Sequence, residues 1–210
     1  MALASPVADD RSQEYFGSGQ SGVHSVQFFD DAQSRSATVA SFLHDGLDDG
    51  ATLLIIETKG HWQATARLLA LQRAPIEAAA QSGQLTVLDA GDAVALVGGA
   101  DGLGSERFDR SIGALVRQLA SRTRPLRVYA EVVDVLAERG DLEAALRLEA
   151  LWNALIAQVP MVLLCGYSAA RYIDAERAED FQRICGAHSH RRLTTGDAIA
   201  TQQLAQEFRF

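Results

Sequence analysis

Cysteine is nearly missing from this 210-residue chain, and that shortage is the first constraint on its class. The two that occur, Cys165 and Cys185, cannot build the disulfide framework of a secreted scaffold. Cys165 falls within an apolar run, where a small buried thiol is the default, and both cysteines suit a reducing cytoplasm. Long hydrophobic runs are missing as well. No stretch of about 18 apolar residues occurs, so no transmembrane helix is expected. The start of the chain has no basic segment followed by an apolar one, so no signal peptide is expected. Positive charge is short too: Lys plus Arg is 19 against 27 for Asp plus Glu, a net charge of −8. That balance disfavours nonspecific contact with nucleic acid or an anionic membrane, and Arg191-Arg192 is only a small basic patch.

Several catalytic signatures are absent. The turn after the first strand reads FFDDAQSRSA, with neither the glycines nor the lysine of a phosphate-binding loop. Asp30 and Asp31 would repel phosphate there. The glycine-rich GGADGLG lies between helices and reads as a flexible loop. Ser168 has no G-x-S-x-G elbow around it, and Cys165 lies in mid-strand, so no nucleophilic triad is assigned. His188-x-His190 with Cys185, and His24 and His61 elsewhere, match no zinc spacing. No metal, cofactor or catalytic residue is therefore expected.

What remains is ordinary globular composition, 48% hydrophobic and 22% charged, enough for one domain with a substantial core. Residues 1–22 read as a flexible leader, 23–192 as the domain, and 193–210 as a tail that docks as a short helix. Apolar strands are expected at Val23–Phe29, Ala51–Thr58, Gln84–Ala90, 126–131 and 161–167. Helices alternate with them, at about 30–47, 60–71, 75–81, 91–98, 105–122 and 175–187. This alternation implies an α/β fold: a three-layer, mainly parallel central sheet with helices on both faces. In such sheets functional groups gather beyond the carboxyl ends of the strands. Those ends carry Phe29-Asp30, Glu57-Thr58, Asp89, Glu131 and Tyr167-Ser168.

The stretch from Pro125 to Tyr167 organises the rest. Glu131 stands where its first strand ends. Glu149 projects into the apolar arc of a long helix, near the direction of Leu142 and Ile156 at 100° per residue. A carboxylate held there needs hydrogen bonds or a cation, because burying it bare costs several kcal/mol or more. Acid/base pair, ligand acceptors and structural acceptors for loop amides all remain open for these two glutamates. His24, Tyr129 and Trp152 are equally open to a structural role.

His24 with the strand SVQFF, the units GLDDGATLLIIET and GQLTVLDA, the long RVYAEVVDVLAERGDLEAALRLEALWN, then LLCGY and ICGAHSH form one pattern. It resembles the MEDS family, the sensory domain of methanogens, methylotrophs and the dichloromethane-responsive repressor. The glutamate after the fourth strand and the helix bearing Arg147, Glu149, Trp152 and Asn153 carry most of the likeness. The resemblance implies a RecA- and circadian-clock-ATPase-like fold without a working P-loop. It also implies a sensor of small hydrocarbon derivatives, set before histidine kinases, beside DNA-binding domains or alone. In the family the glutamate is often preceded by Gly and followed by Met; here Ala130 and Val132 stand there, so no ligand specificity carries over.

The expectation is a stand-alone, cytoplasmic, non-catalytic signalling domain that binds a small organic ligand at the strand ends. Glu131 and Glu149 accept hydrogen bonds from it, and Tyr129, Trp152 and Tyr167 wall it. His24, Asp30 and Thr58 complete the candidate set. Output passes through a histidine kinase or transcription regulator, or through a homodimer. The alternatives are a ligand-free adaptor, a degenerate nucleotide-binding domain and a metal-dependent hydrolase.

Overall fold

Near-continuous apolar runs such as TLLIIE fit strands covered on both faces, and the computed structural model builds the domain around them. It describes residues 22–98, 102–121 and 123–192, without the side chains of Ala175 and Arg192. The leader up to residue 21, part of the GGADGLG loop and the docked-helix expectation for 193–210 lie outside the described residues. Six strands form one sheet: β1 (Val23–Phe29), β2 (Thr52–Glu57), β3 (Leu85–Asp89), β4 (Leu126–Ala130), β5 (Val162–Ser168) and β6 (His190–Arg192). Their order is β3-β2-β4-β5-β1-β6, and every pairing is parallel.

The helices are α1 (Ala32–Asp48), α2 (Lys59–Leu71), α3 (Ile76–Gln81), α4 (Ala90–Val97), α5 (Ser105–Phe108), α6 (Ala114–Ala120), α7 (Val132–Glu138), α8 (Leu142–Ile156) and α9 (Ala178–Gly186). One face of the sheet presents Val26, Phe28, Ile56, Val128, Leu163 and Tyr167 to residues of α4 through α9. The other presents Phe29, Leu53, Ile55, Tyr129 and Leu164 to α1, α2 and α3. The three-layer α/β architecture read from the sequence is the one observed.

Local chemistry sets the ends of several helices. Asp31 caps α1, its carboxylate accepting from the Ser34 N–H at 2.7 Å. Asp141 caps α8 through the Ala144 N–H at 2.9 Å. Pro75 stands at the cap of α3, one position earlier than expected. The helix expected at 105–122 is interrupted by a π-helical turn, Asp109–Gly113, between α5 and α6. A sixth strand joins the five expected: three polar residues carry no alternation to betray it, and β6 exists because β1 offers it an edge.

β5 also carries a glycine that packing requires. A methyl group at Gly166 would overlap the Tyr129 hydroxyl and stand 3.0 Å from its ring carbon Cζ and 3.1 Å from Phe29. That hydroxyl is buried without a hydrogen-bond partner. Gly166→Ala is expected to lower stability by on the order of 1–3 kcal/mol through overpacking. Adding Tyr129→Phe, which deletes the obstructing oxygen, should recover more than half of that loss in urea denaturation.

Candidate functional site

Two polar centres are built into this frame, and the two glutamates singled out by sequence belong to different ones. The first surrounds Glu149, which α8 pushes fully out of solvent. Because side chains alternate along strands, His24 on β1 and Cys165 and Tyr167 on β5 all face α8. The Tyr167 hydroxyl donates to Glu149 Oε1 at 2.8 Å, and the Cys165 thiol points at Oε2 from 3.5 Å. His24 Nε2 lies 3.2 Å from Oε2 and 3.4 Å from Cys165 Sγ. His188, from the link between α9 and β6, brings its Nε2 to 3.3 Å from Oε1. The two imidazoles lie with centroids 4.2 Å apart.

Both rings are held from behind. His188 Nδ1 is 2.7 Å from the Ile184 carbonyl, which can only accept, so Nδ1 carries the proton. His24 Nδ1 is 2.9 Å from Asn153 Oδ1, and the Asn153 amide is oriented by donating to the Ala187 carbonyl at 2.8 Å. Burial alone would raise the Glu149 carboxyl, but His188 and His24 hold it well below the usual carboxylate range. Burial would push His188 down, and the Glu149 carboxylate more than reverses this. Burial first, and then Glu149, push the Cys165 thiol and the Tyr167 phenol well up.

The second centre lies beyond the carboxyl ends of β2 and β4. Glu131 occupies the cap position of α7, yet its side chain makes no cap bond there. It turns instead to accept from the Thr58 N–H, with His61 Nδ1 at 2.8 Å and Arg35 Nη1 at 3.4 Å from Oε2. Arg35 Nη2 donates to Asp134 Oδ2 at 3.3 Å. The other oxygen of Asp134 accepts from the Ser168 N–H at 3.1 Å and from Arg171 Nε at 3.4 Å. Arg35 and Asp134 are buried, while the His61 side chain keeps 31% of its surface exposed, so water reaches this centre. Glu57 beside it accepts from Thr65 at 3.1 Å through Oε1, while its buried Oε2 has no partner. Burial, and then the charge of Glu131, raise Glu57 to about 8, so it is protonated at neutral pH.

Arg171 also opens onto a groove of about 390 Å³ between the α7–α8 turn and the segment 170–180. Glu138, Arg171, Tyr172, Asp174, Arg177 and Asp180 line it with charge, and Leu142 adds an apolar side.

Of the candidates read from sequence, His24, Glu149 and Tyr167 come together in the first centre, and Glu131 and Thr58 in the second. Trp152 packs edge-on against Phe108 at 5.3 Å, and Tyr129 lies on the opposite face of the sheet. Asp30 is exposed after β1. The eight residues do not wall one cavity. Sequence reasoning weighed Cys165, His188 and His61, put Glu57 on the strand-end rim and noted Asn153, but joined none of them to a glutamate; it missed Arg35 and Asp134 beside Glu131. Cys185 is buried in α9 and pushed up to about 11 by burial; it is not among the first centre's ligand-type residues.

The fold and centres define a parallel α/β domain whose β1–α1 turn is capped by an aspartate, leaving no phosphate loop. The family model of MEDS, the methanogen/methylotroph, DcmR sensory domain, matches residues 23–188, most of the chain and both centres. The chain belongs to this family of sensory domains. No curated protein matches it. No helix among the described residues is long and apolar enough to cross a membrane.

Glu57 gives a pH dependence with a definite sign. Between the ordinary glutamate value of 4.5 and about 8 the folded chain keeps a proton that the unfolded chain has released. Stability therefore falls as pH rises through that window. Against Glu57→Gln, which has no proton to lose, the wild type should weaken by on the order of a few kcal/mol from pH 5 to pH 8. Denaturation midpoints of both proteins across that range check the difference.

Proposed function

We propose that this sensory domain takes a small polar organic molecule into the groove beside Arg171 and Tyr172 and reports it through a protein partner. The observation that carries the reading is the groove itself. At about 390 Å³ it falls in the size range of small-molecule sites, roughly 300–1,000 Å³. Its mixed ring of carboxylates and guanidinium groups suits a hydrogen-bonding head group, while Leu142, Ala137 and Ala170 can receive a short hydrocarbon chain. Short alcohols, amines and aldehydes have that chemistry.

Arg171 makes the groove a place from which a signal can leave. It shares Asp134 with Arg35, and Arg35 also pairs with Glu131. A ligand that engages Arg171 competes for Asp134 and so changes what Arg35 holds. The ligand is bound rather than transformed, and the receiver of the signal is a histidine kinase or a transcription regulator. Two unpaired cysteines suit a cytoplasmic setting for this exchange.

Titration calorimetry against short alcohols, amines and aldehydes tests the proposal. At least one should bind saturably, and Arg171→Ala should weaken it about tenfold, or about 1.4 kcal/mol. Silence from every compound would remove the ligand and leave an adaptor that signals through its surface.

A further inference from the structure

The geometry points to a metal site: we propose that His24, Glu149, Cys165 and His188 together bind one divalent transition-metal ion, zinc by preference. One ligand atom from each of these four residues lies within 4.8 Å of all the others, and all four residues are buried. Buried polar groups can gather simply to satisfy one another; the convergence of four ligand-type residues with both histidines' outer nitrogens already engaged is what favours an ion. Each spends its Nδ1 proton on a fixed outer acceptor, Ile184 O or Asn153 Oδ1. Each thereby turns Nε2 inward, toward an oxygen of Glu149. His188 Nε2 has no hydrogen-bond partner there despite being buried. An ion there takes the place that a second ring proton would fill in an imidazolium–carboxylate pair. An outer acceptor on the far nitrogen is the arrangement that fixes metal-bound histidines.

The separations agree with an ion at the middle. Bonds of about 2.0–2.1 Å to nitrogen or oxygen and about 2.3 Å to sulfur, at tetrahedral angles, put ligand atoms roughly 3.3–3.6 Å apart. Glu149 Oε2 stands 3.2 Å from His24 and 3.5 Å from Cys165, which are 3.4 Å from each other, and His188 stands 3.3 Å from the other oxygen, Oε1. Glu149 turns Oε1 to one histidine and Oε2 to the other, so both its oxygens border the position. The Tyr167 hydroxyl steadies Oε1. Two imidazoles, a thiolate and a carboxylate form a borderline-soft set that suits zinc, and the two anions neutralise the dication in a dry interior. Four protein ligands leave no open position, which marks a structural ion. It would tie β1, α8, β5 and the α9–β6 link, segments far apart in sequence.

The whole chain, purified without added chelator, should carry about one zinc per molecule by elemental analysis. After zinc removal, Co²⁺ should restore a thiolate-to-cobalt charge-transfer band and the intense visible bands of four-coordinate cobalt. Cys165→Ser should abolish the charge-transfer band, and His188→Gln should weaken metal affinity at least tenfold. Chelation should lower the wild-type melting temperature, and Cys165→Ser should lose most of that response. A folded wild type that holds under a tenth of a metal ion per chain, and takes up neither Zn²⁺ nor Co²⁺, overturns the site whatever the variants do. A cobalt spectrum that survives intact in folded Cys165→Ser overturns it too. Neither result bears on ligand binding in the groove.

Discussion

A carboxylate with no access to water sets the terms for this domain. Glu149 lies in the apolar layer beneath α8, where an isolated charge would cost far more than a domain's net stability. Its compensation arrives from β1, β5 and the link before β6, so the sheet must present the right residues on the right face. The register achieves this: His24 pairs with Leu163 and Val26 with Cys165, which leaves His24 and Cys165 as diagonal neighbours beneath Glu149. A slip of one residue in β1 would turn His24 to the other face and strand the carboxylate. The polar centre therefore specifies the register that an all-aliphatic strand pair would leave to packing alone.

The rim beyond β2 and β4 solves a different problem with the same chemistry. Glu57, Glu131 and Asp134 crowd together, and Arg35 is the buried cation that pairs with the last two. Of the three, Glu57 alone makes no ion pair among the described residues. Glu131 takes Arg35, His61 and the Thr58 amide, and Asp134 takes Arg35, Arg171 and the Ser168 amide. Glu57 receives only the Thr65 hydroxyl and keeps its proton. Burial, and then the nearby charge of Glu131, raise Glu57, and one hydroxyl hydrogen bond does not offset them.

The sheet was legible because its strands are apolar runs, and Glu149 was legible because helical periodicity turns it inward. Neither signal names a partner. His24, Cys165 and His188 approach Glu149 across more than a hundred residues of chain in one case, and only strand order and register bring them there. Cys165 looked like an ordinary packed thiol because its neighbours in sequence are apolar; its functional neighbours lie on other elements. His188 stood out only beside His190, which the structure sends into β6. Tyr129 and Trp152 could not be assigned to opposite faces before it was known which helices cover which side. Arg35, on a helix with no other cationic residue, gave no sign that it would be the pivot of the rim.

The two centres meet at the carboxyl end of β5. Tyr167 donates its hydroxyl to Glu149, and the next residue, Ser168, donates its backbone N–H to Asp134. The chain then passes through two short 3-10 turns, Ala169–Arg171 and Ala175–Arg177. Arg171 and Tyr172 in this segment line the groove, and Tyr172 also rests edge-on against Tyr167 at 6.2 Å. Satisfied buried networks resist rearrangement, because every broken bond strands a group in a low dielectric. The segment after β5 is less uniform: Ala169 and Tyr172 are buried, while Ala170, Asp174 and Arg177 are exposed. Residues 169–177 therefore reach both centres, through Arg171 on Asp134 and Tyr172 against Tyr167.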